Sequence, residues 1–201
     1  CDIDGLVQYC ERKGIPLIED ACVAIGAKHS GQPVGSNGSF SVVSFGAGKI
    51  IDAGHGGAFL TDDDSLFYAF QNLETSLPEF DSNNMGIIKK VSKYHTNLYN
   101  DHYGIDHWRY ADDFKAFALS SESATLHRYS NEFSGRILDG MEGLEGNLVA
   151  RQEKVTYARE LFSADGLHGL ILHQPAKGSV FWRMNIFVPE GRDLLLKTIL
   201  S

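Results

Sequence analysis

Apolar residues at Ile3, Leu6, Val7 and Cys10 recur at helical spacing between Asp2, a suitable N-cap, and Gly14, a suitable residue just past a helix end. This predicts a helix from Asp2 to Lys13. The run Ile15 to Asp20, IPLIED, is short and apolar and ends in two acids, so it reads as a parallel strand with a carboxylate at its C-terminal end. Helix followed by strand is the α/β signature. Ala21 to Gly26 is small and apolar and suits close packing on a sheet, while Lys28 to Gly38 is dense in turn formers and predicts a small hairpin or loop. Ser39 to Phe45, rich in Val and Phe, reads as a buried strand, and Gly57 to Thr61 as another. Thr61 to Asp64 supplies caps and acids for a helix through Leu66, Phe67, Phe70 and Leu73.

Further along, Ser76 to Gly104 shows no sustained period and is expected to be a long polar loop. From Phe114 to Leu148 apolar residues step by three and four, interrupted by a turn-rich patch at Gly140 to Gly146, and Glu145 to Phe162 continues as a helix with Arg151, Lys154 and Arg159 on a solvated face. Leu167 to His173 and Val180 to Pro189 predict two antiparallel strands, and Gly191 to Leu200 a closing helix. Arg183, between aromatic and apolar neighbours, could meet a substrate, although no motif supports that reading.

Composition narrows the function classes. With 201 residues, 43% hydrophobic and 22% charged, the chain is long enough for a real core and is not of the disordered class. A net charge of −8 with scattered Lys and Arg opposes a nucleic-acid surface. No run of about eighteen apolar residues predicts a membrane span. Three cysteines, Cys1, Cys10 and Cys22, cannot all pair and lack C-x-x-C spacing, which fits a reducing, cytoplasmic compartment. Cys22 reads as core filler. His95, His102 and His107, near Asp101 and Asp106, contain metal-ligand chemistry, but polar residues near a subunit contact or a pocket mouth are the preferred reading, and no metal is expected. The aspartates at 62, 63 and 64 lack the ligand spacing of a calcium loop and read as a helix start.

The chemistry centres on Lys49, in the glycine-rich segment FGAGKIIDAGHGG between two strands. It is not a phosphate-binding P-loop, because Val43 and Ile50 stand where that motif needs glycine and a hydroxyl; Ile51 likewise breaks the dinucleotide pattern. A lysine beyond the end of a core strand can lose solvent and form a Schiff base. With Asp20 at the same sheet edge, where ligands of open α/β sheets collect, the pair suits pyridoxal phosphate: a lysine for the aldehyde and an aspartate that keeps the ring nitrogen protonated. Ser44 could offer its hydroxyl to the phosphate.

Between about Asp2 and Leu66 the strand, acid, hairpin, Ser-Phe, lysine and double glycine occur in the order and at the spacing of a known group. The segment resembles the DegT/DnrJ/EryC1/StrS sugar aminotransferases of pyridoxal phosphate (PLP) fold type I. The resemblance implies an α/β, aspartate aminotransferase-like large-domain portion with a mostly parallel sheet over 1–120. A linking helix and a partial α+β small domain follow over 121–201. It makes Lys49 the internal aldimine lysine and the catalytic residue, Asp20 the pyridinium partner and Ser44 the phosphate-binding serine. It further implies a nucleotide-linked keto-sugar substrate, glutamate or glutamine as amino donor, and a homodimer. The sequence departs from the family pattern at Val23, where a polar residue is usual, at His55, where an acid is usual, and at the helix opening Trp108 to Asp113. Compared with the family, the chain reads as a fragment lacking the front of the large domain and the C-terminal end. Two alternatives stand beside transamination: a dehydratase of the same fold, which typically has His in place of the lysine, and a catalytically silent binding or oligomerisation module.

Overall fold

The computed structural model describes residues 2–80, 84–101, 111–131, 134–164, 171–172, 176–188 and 190–191. Helix α1 (Ile3–Lys13) begins where the Asp2 carboxylate accepts the Gly5 N–H at 3.0 Å and ends on Gly14 at φ +62°, whose N–H returns to the Cys10 and Glu11 carbonyls. Both caps match the sequence expectation. Strand β1 (Ile18–Asp20), the hairpin β2 (Lys28–His29) and β3 (Gln32–Pro33), then β4 (Phe40–Ser44) and β5 (Gly57–Leu60) follow in order. The main sheet has the order β1-β4-β5, with β1 parallel to β4 and β4 antiparallel to β5. Among the described strands the sheet is therefore mixed, with the parallel pair forming the edge that carries Asp20.

Two-residue alternation along β1 sends Glu19 and Asp20 to opposite faces. Glu19 is buried at 6% exposure while Asp20 is exposed. The Glu19 carboxylate accepts the backbone N–H groups of Gly35 (3.0 Å), Asn37 and Gly38 (2.9 Å), together with the Asn37 side-chain amide. A buried carboxylate thus gathers the turn that leads into β4. It is the charged residue of the pair that a core could not tolerate without those donors.

Beyond β4 the chain makes a loop whose neck is closed by a bridge between Gly46 and Gly54 and by bonds from Phe45 N–H to Gly56 O (2.9 Å) and from Ala53 N–H to Phe45 O (2.9 Å). Phe45, Ile51 and Ala53 form the core cluster, packed by Ile25, Val43, Ala58, Ile137 and Leu144. The loop is therefore anchored by its own apolar residues. The helix over Ser134–Glu142 approaches it closely: a Cβ on Gly140 would lie 2.5 Å from the Ile51 Cγ2.

The chain divides into two compact units, residues 1–63 with 136–201 and residues 64–135. The second unit holds α2 (Asp64–Thr75), α3 (Met85–Asp101) and α4 (Ala111–Thr125), with α3 against α4. Its Glu79–Arg128 salt bridge is 3.1 Å long. Helix α3 corrects the expected polar loop. Ile87, Ile88, Val91, Tyr94 and Leu98 do repeat at helical spacing, and Leu98 is buried, but the intervening lysines and polar residues mask the stripe. The first unit continues with α5 (Ser134–Glu142) and α6 (Leu144–Ala164), and with the short antiparallel strands β6 (Ile171–Leu172) and β7 (Ile186–Phe187). The remainder of the strand expected at Leu167 to His173, the closing helix after Gly191, His102, His107 and positions 108 to 110 of the expected helix opening lie outside the described residues.

Burial by itself would raise the Glu19 pKa, but the bonds from Asn37, Gly35 and Gly38 together outweigh it, and the net direction is down from 4.5. A depressed folded pKa stabilises the fold above the unfolded value and loses that contribution as pH falls through the folded one. Glu19→Ala, which leaves the backbone donors unpaired, is expected to cost about 3 kcal/mol near neutral pH. In urea melts the stability gap between the wild type and Glu19→Gln should narrow as pH falls below 4.5.

Candidate active site

Asp20 ends β1 and sits beside Val42 of β4 in the parallel register. Its Oδ1 accepts the Cys22 N–H at 3.0 Å, closing an Asx-type turn that aims the carboxylate outward from the strand end. The carboxyl is held below its usual range, first by the Cys22 thiol, then by the Cys22 N–H, with a further contribution from the positive charge of Lys49. The Cys22 thiol, which also points to the Val42 carbonyl at 3.8 Å, is pushed up to about 11 by burial and then by Asp20. It remains a neutral donor at physiological pH, as expected for a half-buried thiol beside a carboxylate.

Ser44 closes β4 two residues before the loop. Its Oγ accepts the Gly46 N–H at 3.2 Å, which leaves the hydroxyl hydrogen available to an anion. The same bond occupies the Gly46 N–H, a donor that could otherwise have met a phosphate.

Lys49 is half-buried at the loop tip, followed by the buried pair Ile50 and Ile51. Gly48 and Gly54 take φ of +76° and +86°, conformations that favour glycine, and no atom lies within 4 Å of where their Cβ would be. Asp52 ties the two together through Oδ2 to the Gly48 N–H (2.8 Å) and Oδ1 to the Gly54 N–H (2.9 Å). Lys49 N–H donates to the Gly46 carbonyl at 3.1 Å. The Lys49 Nζ stands over the Trp182 ring, 4.9 Å from its centroid.

The structure thus places Asp20 at the end of β1, Ser44 at the end of the neighbouring β4 and Lys49 in the loop that follows β4. Sequence reasoning missed Asp52, Cys22 and Trp182. The first two carried a readable signal, an aspartate two residues ahead of the N–H it accepts; Trp182 is 134 residues from Gly48 and carried none. His55, between the loop glycines, is buried at 8%, and burial, then the Arg136 charge, holds its pKa below the usual value. His95 packs against the Phe117 ring at 5.2 Å, and no cluster of metal-ligating side chains occurs among the described residues.

The profile of the DegT/DnrJ/EryC1/StrS aminotransferase family matches residues 1–98. This stretch, just under half of the chain, is therefore similar to that family. It is 45% identical over 62 residues to the L-glutamine:scyllo-inosose aminotransferase of Streptomyces griseus, an overlap of 31% of this chain and 15% of that protein. The whole chain aligns with DesI, solved with its TDP-sugar product, at TM-score 0.65 and 20% identity, covering 43% of that chain. It also aligns with the E. coli GDP-4-keto-6-deoxy-D-mannose-3-dehydratase with bound hydrated PLP, at TM-score 0.63 and 18% identity, covering 48%. The chain therefore has the PLP fold type I architecture, and it spans under half the length of these structures.

Replacing Asp52 by Ala removes the acceptor of both glycine N–H groups. A loss of roughly 1–2 kcal/mol is expected, with hydrogen exchange at the Gly48 and Gly54 amides faster by about tenfold than at Ala53, whose bond to Phe45 remains.

Proposed function

We propose that this chain belongs to a PLP-dependent enzyme that transaminates a nucleotide-linked keto sugar, with glutamate or glutamine as amino donor. The observation that carries the reading is the placement of Asp20 at the C-terminal end of the parallel strand pair, with Ser44 at the end of the neighbouring strand and Lys49 in the glycine loop that follows it. The residues fit the cofactor. A carboxylate kept ionised suits a protonated pyridine nitrogen, a primary amine suits an aldehyde, and a hydroxyl whose hydrogen is uncommitted suits a phosphate oxygen.

When bound, PLP supplies an electron sink for the bonds at the substrate's amine-bearing carbon. The work of this chain is then divided among three residues. Asp20 holds the ring-nitrogen proton through its ionised carboxylate, with the Cys22 N–H fixing that carboxylate's direction. Ser44 Oγ orients the phosphate end. Lys49 Nζ would hold the aldehyde end of the cofactor and would act as the base that moves the proton transamination relocates. These roles require an amine at position 49. A dehydratase of this fold is the second reading, favoured by the likeness to the E. coli GDP-sugar enzyme, and the amine weighs against it.

The relatives divide over the substrate. DesI was solved with a TDP-sugar product, while the Streptomyces griseus enzyme is named for scyllo-inosose, a ring ketone without a nucleotide. We retain the nucleotide-linked sugar, a cytoplasmic location, a homodimer and the division of the enzyme near residue 120 as parts of the same proposal.

The test is borohydride-dependent attachment of PLP to the purified protein, read by peptide mass, together with absorbance of the bound cofactor. Wild type should carry the label on Lys49, Lys49→Ala should lose both signals, and Asp20→Asn should bind PLP at least tenfold more weakly, about 1.4 kcal/mol. Labelling that survives Lys49→Ala unchanged would remove the basis of the proposal, and turnover that releases water from the sugar without exchanging an amino group would favour the dehydratase.

A further inference from the structure

The segment after Val180 was expected to run as a strand to Pro189, yet among the described residues of that segment only Ile186 and Phe187 pair in a ladder. The preceding residues turn their polar groups to α6 and to the lysine loop. Arg151 is half-buried, not on a solvated face as its helical position suggested, and its Nη1 donates to the carbonyls of Phe181 (3.2 Å) and Trp182 (2.9 Å). The Arg151 Nε donates to Asn147 Oδ1 at 2.6 Å. Asn147 in turn donates its amide to the Ile50 carbonyl at 3.0 Å, and the Trp182 indole N–H donates to the Gly48 carbonyl at 2.8 Å.

The loop is therefore held one residue before Lys49 and one residue after it, and both tethers meet at one guanidinium. We propose that Arg151, Asn147 and Trp182 form a positioning clamp for Lys49, with the indole ring as the surface on which the ε-amine rests. The inference deepens the reading of Lys49 as the cofactor lysine and rests on it.

The physics of each part is distinct. Gly48 has positive φ and, its sequence neighbours aside, open space at its Cβ position, so at this residue hydrogen bonds rather than side-chain packing hold the chain. Trp182 supplies one such bond through an N–H that can only donate, leaving its ring face for the Lys49 ammonium at 4.9 Å. The Arg183 guanidinium lies over the same ring system at 4.1 Å from the centroid and helps fix the ring plane. Arg151 suits the hub because its donors are arranged in a rigid fork that serves Asn147 and the two carbonyls at once; a lysine ammonium lacks that geometry. Placement of a reacting amine matters because a displacement of about 1 Å can cost about a hundredfold in rate.

Two readouts test the clamp. The first needs no cofactor: lysines are reductively methylated with ¹³C, and the Lys49 signal, assigned by its absence in Lys49→Arg, is compared with the other lysines. Ring current from Trp182 should displace it upfield, Trp182→Leu should return it to the common position, and Arg151→Leu and Asn147→Ala should move it most of the way. Trp182→Phe, which keeps an aromatic face and loses the N–H, should keep part of the shift.

The second readout is the rate of borohydride-dependent PLP labelling at Lys49. It should fall about ten- to a hundredfold in Trp182→Leu and Arg151→Leu, with no rescue by Arg151→Lys, in variants whose melting temperature confirms folding. A wild-type Lys49 signal among the other lysines, or wild-type labelling rates in the folded variants, would overturn the clamp. Labelling of a different lysine in the wild type would instead overturn the cofactor reading, and the methyl shift would still decide whether the clamp exists.

Discussion

The buried Glu19 carboxylate is the constraint on which the site rests. Strand alternation gives β1 one inward and one outward acid, and the inward one is tolerable only because it collects the N–H groups of the turn from Gly35 to Gly38. That turn delivers the chain into β4 in parallel register with β1. Once the register is fixed, Asp20 has one place to be, beside Val42 at the strand ends, and Ser44 follows two residues later on β4. A slip of one residue would send Asp20 into the interior and Glu19 to the ligand edge.

The same economy governs the lysine loop. Apolar residues on its return arm, Ile50, Ile51 and Ala53, bury into the core, while polar groups fix the tip: Asp52 from within the loop, Asn147 and Trp182 from distant segments. Lys49 thus sits on a short tip that is tethered on both sides. The Cys22 thiol, at first sight a spectator, takes part in keeping Asp20 ionised and is itself kept protonated by burial and then by that carboxylate.

What was legible in the sequence was what local physics decides. The caps of α1, the hairpin at Lys28 to Pro33 and the strands flanking Lys49 all depend on neighbours within a few residues. Helix α3 was misread because lysines at 89, 90 and 93 break up an apolar stripe that only its spacing reveals. Arg151 was misplaced because the carbonyls it serves lie 30 and 31 residues further along. The strand expected after Val180 stopped short for the same reason: its carbonyls belong to Arg151 rather than to a neighbouring strand. Long-range polar partners leave no period in a sequence.

A structure of the purified protein determined after incubation with PLP tests the central claim most directly. The account predicts continuous density from Lys49 Nζ to the cofactor, the Asp20 carboxylate within hydrogen-bond distance of the ring nitrogen, and the phosphate against Ser44 Oγ. Density joined to another lysine, or a ring nitrogen facing away from Asp20, would contradict it.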